Sequence, residues 1–215
     1  MYGIHQKTTA AKVFIFITQI IYLILAFFIL YRDATLDNYI RYTIIIFLLI
    51  TFLRLNAMLF IWLPRGISWK ESIGNSLAFA IYYIGFPLFT VYSQADSNIA
   101  MYVIGIVLFL AGSFINTTSE LLRKPFKADP ANKGKLYRGG LFKYAIHINY
   151  YGDILWVAGF ALVTINVWAL LVPLFLFLMF VFSYIPNADK YLLEKYGSQF
   201  EDYQKHTKRL IPFIW

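Results

Sequence analysis

Residues 99–127 read IAMYVIGIVLFLAGSFINTTSELLRKPFK, and the fold turns on how that stretch is understood. From Ile99 to Ile115 no side chain carries a charge. Within the next three helical turns Asn116, Glu120, Arg123 and Lys127 follow. At about 1.5 Å per residue, an apolar helix over 99–122 crosses the roughly 30 Å of a bilayer's hydrocarbon core. The four polar residues recur at i, i+4, i+7 and i+11, which makes one continuous stripe, provided Pro125 kinks the helix and does not end it. Two readings of that stripe stand side by side. It faces something polar, or Glu120 pairs with Arg123 or Lys124 at the level of the headgroups. The sequon at Asn116-Thr-Thr lies beside the span and is accidental.

Working outward, apolar runs occur at 13–31, 42–63, 77–93, 151–165 and 167–185 besides 99–122. With 60% hydrophobic and 14% charged residues, the chain is no soluble globular domain. The expected fold is an all-α integral membrane protein with six transmembrane helices and a C-terminal cytoplasmic amphipathic helix. The fifth and sixth runs form a hairpin turning at Thr164 to Asn166. Pro186 is expected to separate the sixth span from the amphipathic stretch carrying Tyr191, Leu192, Lys195 and Tyr196, which Gly197 interrupts. The first run follows Lys7 and Lys12 as a signal peptide would, but its apolar core exceeds the ~15 residues of such a segment. It reads as an uncleaved span.

Several chemistries drop out. The chain has no Cys, hence no disulfide, thiolate site or Cys nucleophile. His5, His147 and His206 are too scattered for a metal cluster, and no metal site is expected. The formal charge of +8 is topological. Lys7 and Lys12, Arg65 and Lys70, and the loop with Arg123, Lys124, Lys127, Lys133, Lys135, Arg138 and Lys143 fall on one side of six spans. The opposite side has Asp96, an uncharged hairpin, and Arg32 and Arg41 balanced by Asp33 and Asp37. By the positive-inside rule both termini and the basic loop face the cytoplasm, and the expected location is a bacterial inner membrane. Membrane lipids are partners and no nucleic acid is implied.

A second polar group opens the fifth run, in GGLFKYAIHINYYGDILW at residues 139–156. Asn149 and Asp153 are one helical turn apart and share a face. They either line a site or act as N-cap and dipole partner of that helix; a capping box would put the acid at Gly152. His147 alone reads as a local hydrogen-bonding residue. The connecting loop RKPFKADPANKGKLYRGGLFK, residues 123–143, sets seven Lys or Arg against one acid. Such a loop suits the phosphates of an anionic cofactor, and positive-inside topology explains it equally. Neither GxGxxG nor a P-loop is present. In the second run Arg54, beside Asn56, needs a partner or a wet cavity.

The ordered motifs INTTSELLRK, KGKLYRGGLF, HINYYGD, WVAGFAL and EKYGSQFEDYQKHTKRLIPFIW, spread over about 105–215, resemble the C-terminal catalytic domain of the steroid 5α-reductase family. The resemblance implies a membrane bundle that holds NADPH without a Rossmann domain. Asn116 and Glu120 would meet the nicotinamide and ribose side, with Arg123 in the same stripe. Lys127 and Tyr137 or Arg138 would meet the phosphates. His147, Asn149 and Asp153 would line the pocket, closed by Tyr196. Residues 1–104 would form the substrate side of a single membrane domain and 105–215 the cofactor side. The implied reaction reduces a carbon–carbon double bond conjugated to a carbonyl, in a steroid-like or other lipophilic substrate arriving through the bilayer.

The departures are specific. Ile146 and Ile148 flank His147 where members often carry Arg and Pro, and Asp153 replaces a common Glu. The steroid-reducing members use an acid in an early helix with a nearby tyrosine; the first span here has no acid. Gln19 is its most conspicuous polar group, with Tyr22 or Tyr42 as candidate proton donors for carbonyl polarisation. Two other readings remain open: a membrane methyltransferase of the isoprenylcysteine or phospholipid type, which uses S-adenosylmethionine, and a sterol- or lipid-binding protein without catalysis.

Overall fold

The computed structural model describes residues 8–63, 65–93 and 98–215; His5, Lys7 and Asp96 lie outside them. The described residues are mainly helical and form no strand; an isolated bridge joins Ala145 to Lys208. The helices are α1 (Thr9–Arg32), α2 (Asn38–Ala57), α3 (Trp69–Ala80), α4 (Phe86–Val91), α5 (Ile99–Ala128), α6 (Ile148–Val163), α7 (Leu171–Met179), α8 (Ile185–Tyr196) and α9 (Ser198–His206). Three π-helical turns, Met58–Trp62, Ile81–Gly85 and Phe180–Tyr184, extend α2, join α3 to α4 and join α7 to α8. Among the described residues, five apolar stretches are long enough to cross a membrane: Thr9–Arg32, Asn38–Trp62, Trp69–Val91, Ile99–Ala128 and Val167–Tyr196. The sixth expected span is the shorter α6, of 16 residues. Large hydrophobics such as Phe28, Leu53, Leu77 and Phe182 are exposed, as lipid-facing positions require.

The chain divides into two compact units, Met1–Ile106 with Gly159–Val172, and Val107–Ala158 with Pro173–Trp215. In the first, α1 buries Ala11, Ile15 and Gln19 at four-residue spacing. Ala11 and Ile15 pack with Leu59 and Ile67. Ser68 and Glu71 form a capping box that starts α3 well before its apolar run. Ser72 donates to the Ala11 carbonyl at 2.7 Å. Lys12 donates to the carbonyls of Leu59 and Leu63 at 2.8 and 3.0 Å, satisfying groups at the end of the first π turn. Arg41 is buried because it caps α1: it donates to the carbonyls of Leu30 at 3.2 Å and Asp33 at 2.7 Å. The hairpin turns at Thr164 and Ile165, the latter at φ +54°, and the Asn166 side chain accepts from the Trp168 amide.

In the second unit, α5 runs through Pro125 to Ala128, so the polar stripe lies on one helix. Its backbone meets that of α6 at two glycines. A Cβ on Gly112 would stand 2.3 Å from the Trp156 amide nitrogen, and one on Gly152 would stand 2.7 Å from that of Asn116. Small residues at such crossings let membrane helices approach closely. Pro186, expected to separate span from tail, does not break the helix. It stands in the first turn of α8, directly after the π turn, where a missing N–H costs little. The break comes at Gly197, at φ +50°, between α8 and α9.

Replacing Gly112 by Ala drives a methyl into neighbouring backbone and lowers stability by about 1–3 kcal/mol. A Cβ at Gly74 meets nothing within 4 Å, so Gly74→Ala leaves stability nearly unchanged. Thermal unfolding of the two variants in detergent checks the contrast.

Candidate functional site

The polar stripe of α5 is only partly solvent-facing. Asn116 and Glu120 are buried, at 8% and 9% exposure, just beyond the apolar half of the helix. Burying a carboxylate requires partners, and Glu120 has them. Arg123 Nη2 lies 2.5 Å from both of its oxygens, and Asn149 Nδ2 donates to Oε1 at 3.5 Å. Asn116 Nδ2 donates to the Asn149 carbonyl at 3.2 Å, tying α5 to the first turn of α6. The Arg123 guanidinium also lies over the Phe142 ring, 5.3 Å from its centroid. Asn149 therefore does not cap α6; the helix opens from His147, whose carbonyl accepts from the amides of Tyr150 and Tyr151. Asp153 accepts from Trp156 Nε1 at 2.9 Å, three residues along the helix.

The basic loop is strapped by α9. Gln199 bonds the Gly134 carbonyl and the Leu136 amide, both at 3.1 Å, and Arg138 pairs with Asp202 at 2.6 Å. The buried Tyr203 hydroxyl donates to the Phe142 carbonyl. Burial holds the Tyr203 phenol above the ordinary tyrosine range, with the Arg138 charge a smaller opposing influence. Tyr137 packs between Phe126 and Phe142, at centroid distances of 5.0 and 5.7 Å. Gly140, at φ +54°, brings its backbone so close to Leu122 that a Cβ would meet Leu122 Cδ1 at 2.7 Å.

A separate polar group lies in the first unit. Gln19 is fully buried, and its Oε1 accepts from the Tyr83 hydroxyl at 2.9 Å and from Asn56 Nδ2 at 3.3 Å. Asn56 Nδ2 also donates to the Phe52 carbonyl, which fixes the orientation of that amide. Gln19 Nε2 and Asn56 Oδ1 are buried without a hydrogen-bond partner among the described residues. Tyr83, itself fully buried, stands in the π turn Ile81–Gly85; such turns often mark functional positions.

Residues 73–207, more than half of the chain, match the family described as protein of unknown function (DUF1295). The chain belongs to the DUF1295 family. It is also similar to the 3-oxo-5-alpha-steroid 4-dehydrogenases. Identity to the rat type 1 protein is 32% over 59% of this chain and 47% of that protein. The human type 1 protein is 33% identical over 53% and 42%, and the rat type 2 protein 32% identical over 66% and 53%. The resemblance read from the motifs is thus borne out. The matched region spans about half the length of these relatives.

In this DUF1295 chain, Asn116, Glu120, Arg123 and Asn149 form one hydrogen-bonded group, with Asp153 a turn further along α6. Lys127 is exposed at the last turn of α5. Arg138 is turned to Asp202, and His147 to Asp189 at 2.7 Å. Tyr196 packs against the cluster of Ile146, Phe200 and Tyr203. Tyr42 is exposed, and the half-buried Tyr22 lies ring to ring with Tyr83 at 6.5 Å. The tyrosine bonded to Gln19 is Tyr83, which sequence reasoning missed; the Tyr-Tyr pair at 82–83 inside an apolar run does not reveal a partner 64 residues away. Arg54 is engaged within the structure.

Tyr203→Phe leaves the Phe142 carbonyl without its donor and costs about 1–3 kcal/mol. Thermal unfolding should register the loss, together with faster amide exchange across residues 134–146.

Proposed function

We propose that this protein is a membrane-embedded, NADPH-dependent reductase of a carbon–carbon double bond conjugated to a carbonyl, acting on a steroid-like or other lipophilic substrate. The observation that carries the reading is the buried Glu120 carboxylate with the Asn116 and Asn149 amides around it. Two amides and a carboxylate match a carboxamide and a ribose hydroxyl, while Arg123, Lys127 and the basic loop supply cations for phosphates. The donor set therefore fits the cofactor. The similarity to 3-oxo-5-alpha-steroid 4-dehydrogenases supports the reaction class.

Asn116, Glu120, Asn149 and Asp153 are assigned to the nicotinamide and ribose side, Arg123, Lys127, Tyr137 and Arg138 to the phosphates, and His147 and Tyr196 to the surroundings. Bound NADPH supplies a hydride. Gln19 is assigned to the substrate oxygen. Its Oε1 is occupied by Tyr83 and Asn56, so its free Nε2–H is the group left to stabilise charge developing on that oxygen. An amide donates a hydrogen bond and keeps its proton; Tyr83 is the adjacent group with a proton to give. Residues 1–104 are assigned the substrate and residues 105–215 the cofactor. The protein is placed in a bacterial inner membrane with both termini cytoplasmic, which agrees with its basic loop.

The test is direct binding of NADPH and of S-adenosylmethionine to detergent-purified protein. NADPH should bind, and Glu120→Ala should abolish that binding. Binding of S-adenosylmethionine alone would overturn the reading in favour of methyl transfer; enone binding without NADPH oxidation would overturn it in favour of a carrier. Gln19→Leu should retain NADPH affinity and lower kcat with a lipophilic enone by about 100-fold.

A further inference from the structure

The second unit buries a further charged group that the proposed reaction does not use. His147 Nε2 and Asp189 Oδ1 are 2.7 Å apart, and Arg209 Nη2 stands 3.0 Å from the other Asp189 oxygen. His147 and Asp189 are 4% and 8% exposed. A buried carboxylate in such a place is costly unless paired; Oδ1 is bonded to the imidazole, and Oδ2, which has no hydrogen-bond geometry to any described residue, faces the Arg209 guanidinium as an ion pair. The three residues come from the entrance of α6, from α8, and from the segment after α9. Forty-two residues separate His147 from Asp189.

His147 is fixed by more than its imidazole. Its amide donates to the Arg209 carbonyl at 3.0 Å, next to the Ile146 amide on the Lys208 carbonyl at 2.8 Å. Its carbonyl accepts from the amides of Tyr150 and Tyr151 at 3.0 and 3.1 Å, the bonds that open α6. Its ring stacks on Tyr150 at 5.3 Å and 6°, and Tyr150 stacks on Phe180 at 4.5 Å and 7°. Two residues beyond His147 stands Asn149, whose carbonyl receives Asn116 and whose side chain reaches Glu120. Any rotation of that first turn moves Asn149 against Glu120.

We propose that Asp189 is a positioning residue: by holding the His147 imidazole on one oxygen and Arg209 on the other, it sets the first turn of α6 and so the register of Asn149 against Glu120. The inference rests on the reading of Asn149 and Glu120 as cofactor contacts. It adds a residue that touches neither cofactor nor substrate. It also gives the segment around Arg209 a part in shaping that site.

Three variants test it: Asp189→Asn, which keeps shape and removes charge; Arg209→Gln, at a half-exposed position that does not threaten folding; and Lys190→Ala, an exposed neighbour on α8, as control. Asp189→Asn should weaken NADPH binding about tenfold, raising KM for NADPH while kcat at saturation stays within about twofold. Arg209→Gln should weaken it about threefold, and Lys190→Ala not at all. Equal affinity in folded Asp189→Asn and wild type would overturn the proposal. If Asp189→Asn fails to fold, unchanged affinity in Arg209→Gln would do the same. Wild type that binds no NADPH would refute the underlying reading instead. Amide exchange at Tyr150, Tyr151 and Gly152 then decides: faster exchange in Asp189→Asn than in Lys190→Ala upholds the positioning role, and equal exchange overturns it.

Discussion

A carboxylate inside an apolar helix must find its counter-charges and donors within the protein, because hydrocarbon offers none. Glu120 imposes that constraint on the second unit. Meeting it requires Arg123 one turn along, Asn149 from the next helix, and a loop that brings Phe142 under the guanidinium. The glycine crossing at Gly112 and Gly152 lets the two helices come close enough for Asn116 to reach the Asn149 carbonyl. Arg123 and Asn149 together keep one negative charge in a buried position.

The same logic runs through the rest of the molecule on a smaller scale. Lys12 and Arg41 look misplaced in apolar helices until their targets are named, which are carbonyls left over at helix ends. Each cation completes backbone carbonyls that a helix end leaves without a donor of its own. Gln19 differs, because its oxygen is doubly satisfied and its nitrogen is not. An orphaned donor in a dry interior is a standing cost, and such costs persist where a ligand or substrate relieves them.

The helical class, the lipid-facing composition, the Thr164–Asn166 hairpin and the stripe on α5 were legible because each rests on local pattern: run length, period and turn chemistry. The stripe carried its own condition, that Pro125 not end the helix, and a proline near the last turn meets it at small cost. Pro186 was misread for a related reason. Proline predicts a missing donor, and only the π turn before it decides whether the helix tolerates the loss. Asn149 was ambiguous between cap and site because the two readings differ in where α6 starts: an Asn149 cap would begin it at Tyr150, and it begins two residues earlier, at Ile148. Tyr83 and Asp189 were illegible because their meaning lies in partners 64 and 42 residues away, Gln19 and His147. No period or motif encodes such pairs.

The crossing of α5 and α6 also bears on how this sequence can drift. A methyl at Gly112 would strike α6 backbone near Gly152 and Trp156, and a methyl at Gly152 would strike α5 backbone at Gly112 and Asn116. Neither side offers a flexible side chain able to yield. The two positions cannot compensate for one another by exchanging bulk, as paired core residues do. They form a ratchet: once the helices have closed on each other, both sites are held at the smallest amino acid, and change can enter the sequence only around them.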